Sequence, residues 1–278
     1  MPLKELASVY DPDDDANADW IVRSPKAFFI LDGASSLLGE SIEGLSSASW
    51  LVRQIGKKLE AFEGPSVEAG MHSILEDIAS QAQALDGASS KSDPPFCCLI
   101  GCIEHDDVIE LVSWGDCQAI VSLGEDASCE LFGFNSVALL DDAITRAVTA
   151  EKRAGTEHLE AFRKYVPQIV ENRQKRNVDR GYQILDLRPP YVGIPERRFL
   201  DKRLAHRILL TTDGLFRAVT CYGMATLQEV ASIDSQERLS DLLHRMREIE
   251  GGDKGCDLYP RLKPRDDVAA ILLDFQPE

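Results

Sequence analysis

The chain is expected to fold as a layered α+β domain, and three features of the sequence say so. Two consecutive stretches carry apolar side chains at helical spacing: Trp50, Leu51, Ile55, Leu59 and Phe62 in the first, and Val67, Met71, Ile74, Leu75, Ile78, Ala82 and Leu85 in the second. Four strand-forming runs then follow closely, at about 96–104, 108–114, 118–123 and 128–134. The turns between them are His105-Asp106-Asp107, Gly115-Asp116 and Gly124-Glu125-Asp126, the pattern of an antiparallel meander. Finally, three apolar runs abut an aspartate. Ala27–Leu31 meets Asp32-Gly33, Ile208–Thr212 meets Asp213-Gly214, and Arg265-Asp266-Asp267 leads into Val268–Leu273. Helix pairs beside a block of antiparallel strands bury their apolar faces by packing outside one or two sheets.

In chain order, an acidic opening at Asp11–Asp15 precedes a short strand near Trp20–Val22 and the strand ending at Asp32. The two helices come next, then a loop at Ser89–Pro95 and the four strands. From about 138 to 180 the chain is highly charged, with Lys152, Arg153, Arg163, Lys164, Arg173, Lys175 and Arg176, as in a surface-lying helical segment. Strands are expected near 182–187 and 206–212, a helix at about 235–250 on Leu239, Leu242, Leu243, Met246 and Ile249, and a last strand at 268–275.

At 278 residues and 44% hydrophobic content, the chain is long enough for one large domain or two small ones with cores that need no disulfides. Thirty basic against forty-seven acidic residues give a formal charge of −17, which repels nucleic-acid phosphates and argues against such a partner. No window is apolar enough to span a membrane, and Met1–Glu5 lacks the apolar core of a signal peptide. Seven cysteines, an odd number lying mostly in apolar runs, suit reduced core residues of a cytoplasmic protein.

A buried strand that ends in a carboxylate holds that carboxylate at a fixed point on the rim of a sheet. Three such points, where the rims coincide, make a site for a hard divalent cation. Asp-Gly-Ala-Ser-Ser occurs twice, at 32–36 and 86–90. The first copy follows a strand and is the candidate for function; the second follows a helix and is expected to be its stop. Other chemistries fit less well. Arg261 falls one residue short of a Cys-x5-Arg loop on Cys256, and Asp11-x-Asp13-x-Asp15 has Ala16 and Val22 where a calcium loop needs glycine and glutamate. The five histidines show no ligand spacing.

Taken in order, four landmarks resemble the metal-dependent protein phosphatase 2C family. Asn17-Ala18-Asp19 before Asp32-Gly33 resembles its Asn-x-Asp element, and Gly115-Asp116-Cys117-Gln118-Ala119 resembles its Gly-Asp-Ser-Arg-Ala turn. Leu210–Phe216 resembles its Ser-Asp-Gly segment, and Arg265–Val268 its terminal Asp-Asn element. The resemblance implies one domain over 1–278 built on two packed, mainly antiparallel sheets, a central sandwich flanked by helices in α-β-β-α layers. A helical flap would lie at about 142–180. It implies two Mn²⁺ or Mg²⁺ ions bridged by Asp32, with the Gly33 carbonyl on one and Asp213 and Asp266 on the other. Asp116 would help hold a weaker third ion, and Asp19 would act through water. The implied activity is hydrolysis of phosphoserine or phosphothreonine in proteins, carried by Asp32, Asp213 and Asp266 through the metals. A catalytically weak binding module and a phosphatase for small molecules are the rivals.

The chain also departs from the family. Ala34-Ser35-Ser36 follows Gly33, where a second glycine or His-Gly-Gly is usual, so no histidine stands there to protonate a leaving group. Residues 1–18 offer only Lys4 where members carry a phosphate-gripping arginine, and Cys117-Gln118 replaces Ser-Arg. Arg23, Arg217 and Arg265 are expected to be solvated. Asp267 replaces an asparagine and is expected either to tighten metal binding or to face water.

Overall fold

In the computed structural model, residues 3–34, 41–63, 66–86, 94–124, 128–133 and 136–275 are described. Strands β1 (Lys4–Asp11), β2 (Asp19–Ser24) and β3 (Ala27–Ala34) are followed by a small hairpin of β4 (Ser41–Ile42) and β5 (Leu45–Ser46) and by helices α1 (Ser47–Leu59) and α2 (Val67–Asp86). Next come β6 (Phe96–Glu104), β7 (Val108–Trp114), β8 (Gln118–Leu123), β9 (Ser128–Phe132), α3 (Ser136–Arg153) and α4 (His158–Arg173). The chain ends with β10 (Leu185–Asp186), β11 (Glu196–Asp201), β12 (Ala205–Thr211), α5 (Asp213–Thr220), α6 (Leu227–Ala231), α7 (Gln236–Gly252) and β13 (Val268–Asp274). The second Asp-Gly-Ala-Ser-Ser copy, beyond Asp86, lies outside the described residues.

One sheet is ordered β1-β13-β12-β8-β9 and the other β11-β7-β6-β3-β2, with β10 beside β6. Side chains alternate between the faces of a strand, and the cores follow that alternation. Ile30 of β3, Ile100 and Cys102 of β6, Ile208 and Leu210 of β12, and Ala269, Ile271 and Leu273 of β13 fill the space between the sheets. The opposite parity of β3, Phe29 and Leu31, meets Trp50, Leu51, Ile55, Met71 and Leu75 of α1 and α2. The opposite parity of β13, Val268, Ala270 and Leu272, meets Leu215, Phe216, Leu239, Leu242 and Met246 of α5 and α7. The result is the expected sandwich in α-β-β-α layers.

The expected four-strand meander is instead split. β6 and β7 pair in one sheet, while β8 and β9 pair in the other, so Gly115–Cys117 carries the chain across. Gly115 has φ +85°, and a Cβ there would lie 2.1 Å from Cys98 Sγ, so the crossing requires glycine. Besides the short β4–β5 hairpin, two strands were not anticipated, and both are edges of the main sheets. In β1 only Ala7 and Val9 are fully buried, and β11 reads Glu-Arg-Arg-Phe-Leu-Asp with Phe199 59% exposed. Charge on an edge protects it from further pairing, and it also hides the strand from apolar periodicity.

The charged stretch forms a helical hairpin of α3 and α4. Ile144, Val148 and Ala161 make its small core with Leu262, and Lys152 Nζ donates to the Cys256 carbonyl at 2.9 Å. Residues 174–180 are turns rather than helix. At their start, the Arg173 and Arg176 guanidinium groups lie 5.2 and 4.2 Å from the Phe96 ring centroid on β6. Among the described residues, no helix is long and apolar enough to cross a membrane, and the seven cysteines are free thiols.

The loop that carries the chain from α7 to β13 is organised by a buried ion pair. Asp253 accepts from the backbone N–H groups of Asp257, Leu258 and Tyr259 at 2.8, 3.1 and 3.1 Å and from Arg261 Nη1 at 2.7 Å. Burial alone would raise the Asp253 pKa, but the guanidinium and the three backbone donors outweigh it and hold the carboxyl at about 2. A depressed folded-state pKa stabilises the fold above the unfolded value of about 4 and loses that contribution as pH falls toward about 2. Asp253→Asn is expected to cost about 3 kcal/mol at pH 7. The variant should also lose part of the wild-type fall in stability between about pH 4 and pH 2. Urea unfolding across that range checks both; equal acid limbs would remove Asp253 from the account.

Candidate metal centre

Topology gathers the predicted aspartates at one end of the sandwich. Thr211 pairs with Ala270, so the end of β12 lies beside the start of β13, and Asp213 and Asp266 emerge together. Thr211 also pairs with Gln118, which puts Asp116, just before β8, at the same end. From the other sheet, Asp32 has the parity of Ile30 and points between the sheets. On its neighbour β2, Asp19 stands directly opposite Asp32 in the register. Asp213 is the first residue of α5, where the helix end favours a negative charge.

Around these groups the backbone is close. Gly33 N–H donates to the Ala18 carbonyl at 2.9 Å, and a Cβ on Gly33 would stand 2.7 Å from that oxygen. Asn17 Oδ1 accepts from Asp19 N–H at 2.8 Å, and Tyr10 donates to the Asp19 carbonyl at 3.0 Å. Asp267 does not merely face water. Its Oδ2 accepts the Ala18 N–H at 2.8 Å and ties the loop before β2 to the start of β13.

The electrostatics are those of anions crowded together. Burial raises the Asp32 pKa well above the usual carboxylate range, and Asp19, Asp213 and Asp116 raise it further. Asp19 is raised in the same way by burial and then by Asp267, and its Oδ2 has no hydrogen-bond partner. Burial and Asp266 raise Asp213, which lies within hydrogen-bonding reach of Asp32. Burial and Asp213 push Asp116 to about 7 and Asp141, on α3, to about 6. Asp266 goes the other way: despite burial, Lys263 and Arg217 hold its carboxyl below the usual value.

Asp266 is therefore the residue whose surroundings differ most from expectation. Arg217 is not solvated; its side chain is 15% exposed and it pairs with Asp266 Oδ2. Lys263 Nζ lies 2.8 Å from Oδ1. Sequence reasoning missed both cations, although Arg217 sits four residues after Asp213, on the same side of a helix. Arg23 and Arg265 do lie at the surface, paired with Glu5 and Asp11.

The oxygen donors Asp32, Asp213, Asp116 and Asp19, with the orphaned Asp19 Oδ2, have the chemistry that a hard divalent cation takes. Among the described residues, however, no three such side chains already converge as a ligand set. The residues fit a cation on the Asp32–Asp213 side, whereas Asp266 is engaged elsewhere. Ser35 and Ser36 lie outside the described residues.

This fold is that of the phosphatase 2C-type serine/threonine phosphatases, in a form of low sequence identity. A serine/threonine phosphatase from Mycobacterium tuberculosis, PstP/Ppp, matches with a TM-score of 0.58 at 16% identity, covering 100% of both chains. A serine/threonine phosphatase from Staphylococcus aureus matches at 0.56 and 14%, covering 100% of this chain and 98% of that one. The catalytic domain of PstP in complex with two manganese ions matches at 0.53 and 16%, covering 98% and 97%. No family model matches the sequence, and no curated protein does.

Removing one of the opposed carboxylates should relieve the repulsion when no cation is present. Asp32→Asn is expected to stabilise the chelator-treated protein by about 1 kcal/mol, raising its Tm by about 2 °C. A Tm increase on adding Mn²⁺ is expected for the wild type and should be absent from the variant. Scanning fluorimetry with EDTA and with Mn²⁺ reads both. A lower apo Tm for the variant would contradict the repulsion.

Proposed function

We propose that this chain is a divalent-metal-dependent phosphatase that hydrolyses phosphoserine and phosphothreonine in proteins. The observation that carries the reading is the opposition of Asp19 and Asp32 on neighbouring strands, with Asp213 and Asp116 delivered to the same pit from the other sheet. The fold shared with proteins described as serine/threonine phosphatases supports it. Asp32, the Gly33 carbonyl and Asp213 are the proposed holders of Mn²⁺ or Mg²⁺, with Asp116 beside them for a further ion. Such a cation supplies Lewis acidity, activating a water and neutralising charge on the phosphoryl group.

The chain's own residues do the rest. The Asn17 side chain and the Ala18 backbone fix the Asp19 strand against Gly33, which keeps the Asp32 carboxylate aimed into the pit. Thr212 lies against Asp19 and accepts from Ala269 N–H at 3.2 Å, so Asp213 starts its helix from a fixed point. Arg217 and Lys263, both paired with Asp266, are the proposed source of positive charge for a phosphate dianion. Asp141 of α3 and Arg173 of α4 border the pit, and the segment at about 142–180 is proposed as the flap that selects the protein substrate. Free thiols suit a reducing compartment such as the cytoplasm.

With Mn²⁺, the wild type is expected to hydrolyse phosphopeptides, and Asp213→Asn to lose more than about 100-fold in kcat. An inert wild type across metals and substrates, or a variant equal to it, would leave a binding module without turnover. Hydrolysis of small phosphorylated metabolites but not of phosphopeptides would favour the small-molecule rival. Replacing 142–180 with the segment of another phosphatase of this fold should change the ranking of phosphopeptides while leaving aryl-phosphate turnover in place. An unchanged ranking would separate the flap from substrate choice.

A further inference from the structure

Asp266 is the one carboxylate of the pit whose charge is already answered by the protein. Lys263 Nζ donates to Oδ1 at 2.8 Å, and Arg217 Nη2 donates to Oδ2. The Asp267 N–H also reaches Oδ1, at 3.2 Å, and Arg247 Nη2 holds the Asp266 carbonyl at 2.9 Å. Both side-chain oxygens and the backbone oxygen are thus engaged.

The two cations reach Asp266 differently. Arg217 projects from α5 with its side chain 15% exposed, whereas Lys263 is 66% exposed and pairs with the carboxylate from the preceding loop. Together they bring two positive charges to one aspartate, the charge of a divalent ion. A guanidinium remains charged at any pH relevant to folding, and its planar fork fits a carboxylate. Turning Asp266 onto a metal would strand Arg217 in a buried position, where Nη1 already lacks a partner.

We infer that Arg217 and Lys263 are built-in substitutes for one of the divalent ions, so that Asp266 anchors fixed cations and the pit loads metal on the Asp32–Asp213 side alone. The inference rests on the metal reading above and goes beyond it in assigning these two residues. It also gives the chain protein-borne cations at the pit although residues 1–18 lack an arginine. Fixed cations attract and orient a phosphoryl group, but unlike a metal they cannot activate water.

Counting Mn²⁺ tests the inference without reference to activity. The full-length chain is titrated with Mn²⁺ by calorimetry, with free Mn²⁺ counted by electron paramagnetic resonance, for wild type, Asp32→Asn, Asp266→Asn and the double variant R217Q/K263Q. Circular dichroism verifies that each is folded, and R217M/K263M serves if the glutamines disturb the fold. The expected results are an unchanged stoichiometry in Asp266→Asn, a lost ion in Asp32→Asn, and one additional ion per chain in the double variant. Loss of an ion in Asp266→Asn, or no gain in either double variant, overturns the substitution while leaving metal binding at Asp32 intact. Failure of every protein to take up Mn²⁺ overturns the metal reading, and the substitution with it.

Discussion

Asp19 and Asp32 face each other across neighbouring strands, and the other sheet delivers Asp213 and Asp116 to the same place. Like charges directly opposite on a sheet oppose folding, and burial strengthens the repulsion because water no longer screens it. A fold that merely needed a sandwich would close this end with apolar residues, as it closes the centre with Ile30, Leu210 and Ile271. Keeping the acids requires that something else hold the ends of both sheets in place. Much of the structure around the pit serves that requirement.

The holding is done from the backbone and from the rear. Asp267 ties Ala18 to β13, and Gly33 approaches the same loop too closely for any side chain. Behind them, Arg247 of α7 reaches Asp11 Oδ2, Glu250 Oε2 and the Asp266 carbonyl, joining the end of β1 to the helix and to the loop before β13. The Asp253–Arg261 pair then fixes the loop from which Lys263 and Asp266 project. None of these contacts needs to touch a substrate. Their effect is to tether the backbone beside each acid from both sheets.

How much of this was legible in the sequence depends on which force wrote each feature. Burial on both faces makes a continuous apolar run, so β3, β12 and β13 and the aspartates at their ends could be read directly. The helices α1, α2 and α7 were legible because each buries one stripe. Edge strands bury half a face and carry charge, so β1 and β11 left no comparable trace. The split of the meander at Gly115 was hidden because a glycine-aspartate turn is equally consistent with a hairpin and with a crossing between sheets. What decides between them is the approach of Cys98, seventeen residues earlier in sequence. The same holds for Arg217 and Asp267. Their residue types suggested solvent or metal, and their actual partners, Asp266 and the Ala18 N–H, come from distant segments.

The charges in the pit finally bear on what kind of site this is. Asp32, Asp19, Asp213 and Asp116 are raised by burial and by one another. Asp266 is lowered despite burial, because Lys263 and Arg217 pair with it. The site therefore holds two electrostatic regimes, a set of carboxylates raised by burial and by one another and a single carboxylate paired with Arg217 and Lys263. An exchangeable ion brings coordination sites for water, and fixed cations bring permanence and direction. On the proposed reading, the two would divide the work of a phosphoryl site between activating a nucleophile and holding an anion. On the same proposal, the positive charge that residues 1–18 do not supply would come from α5 and from the loop before β13.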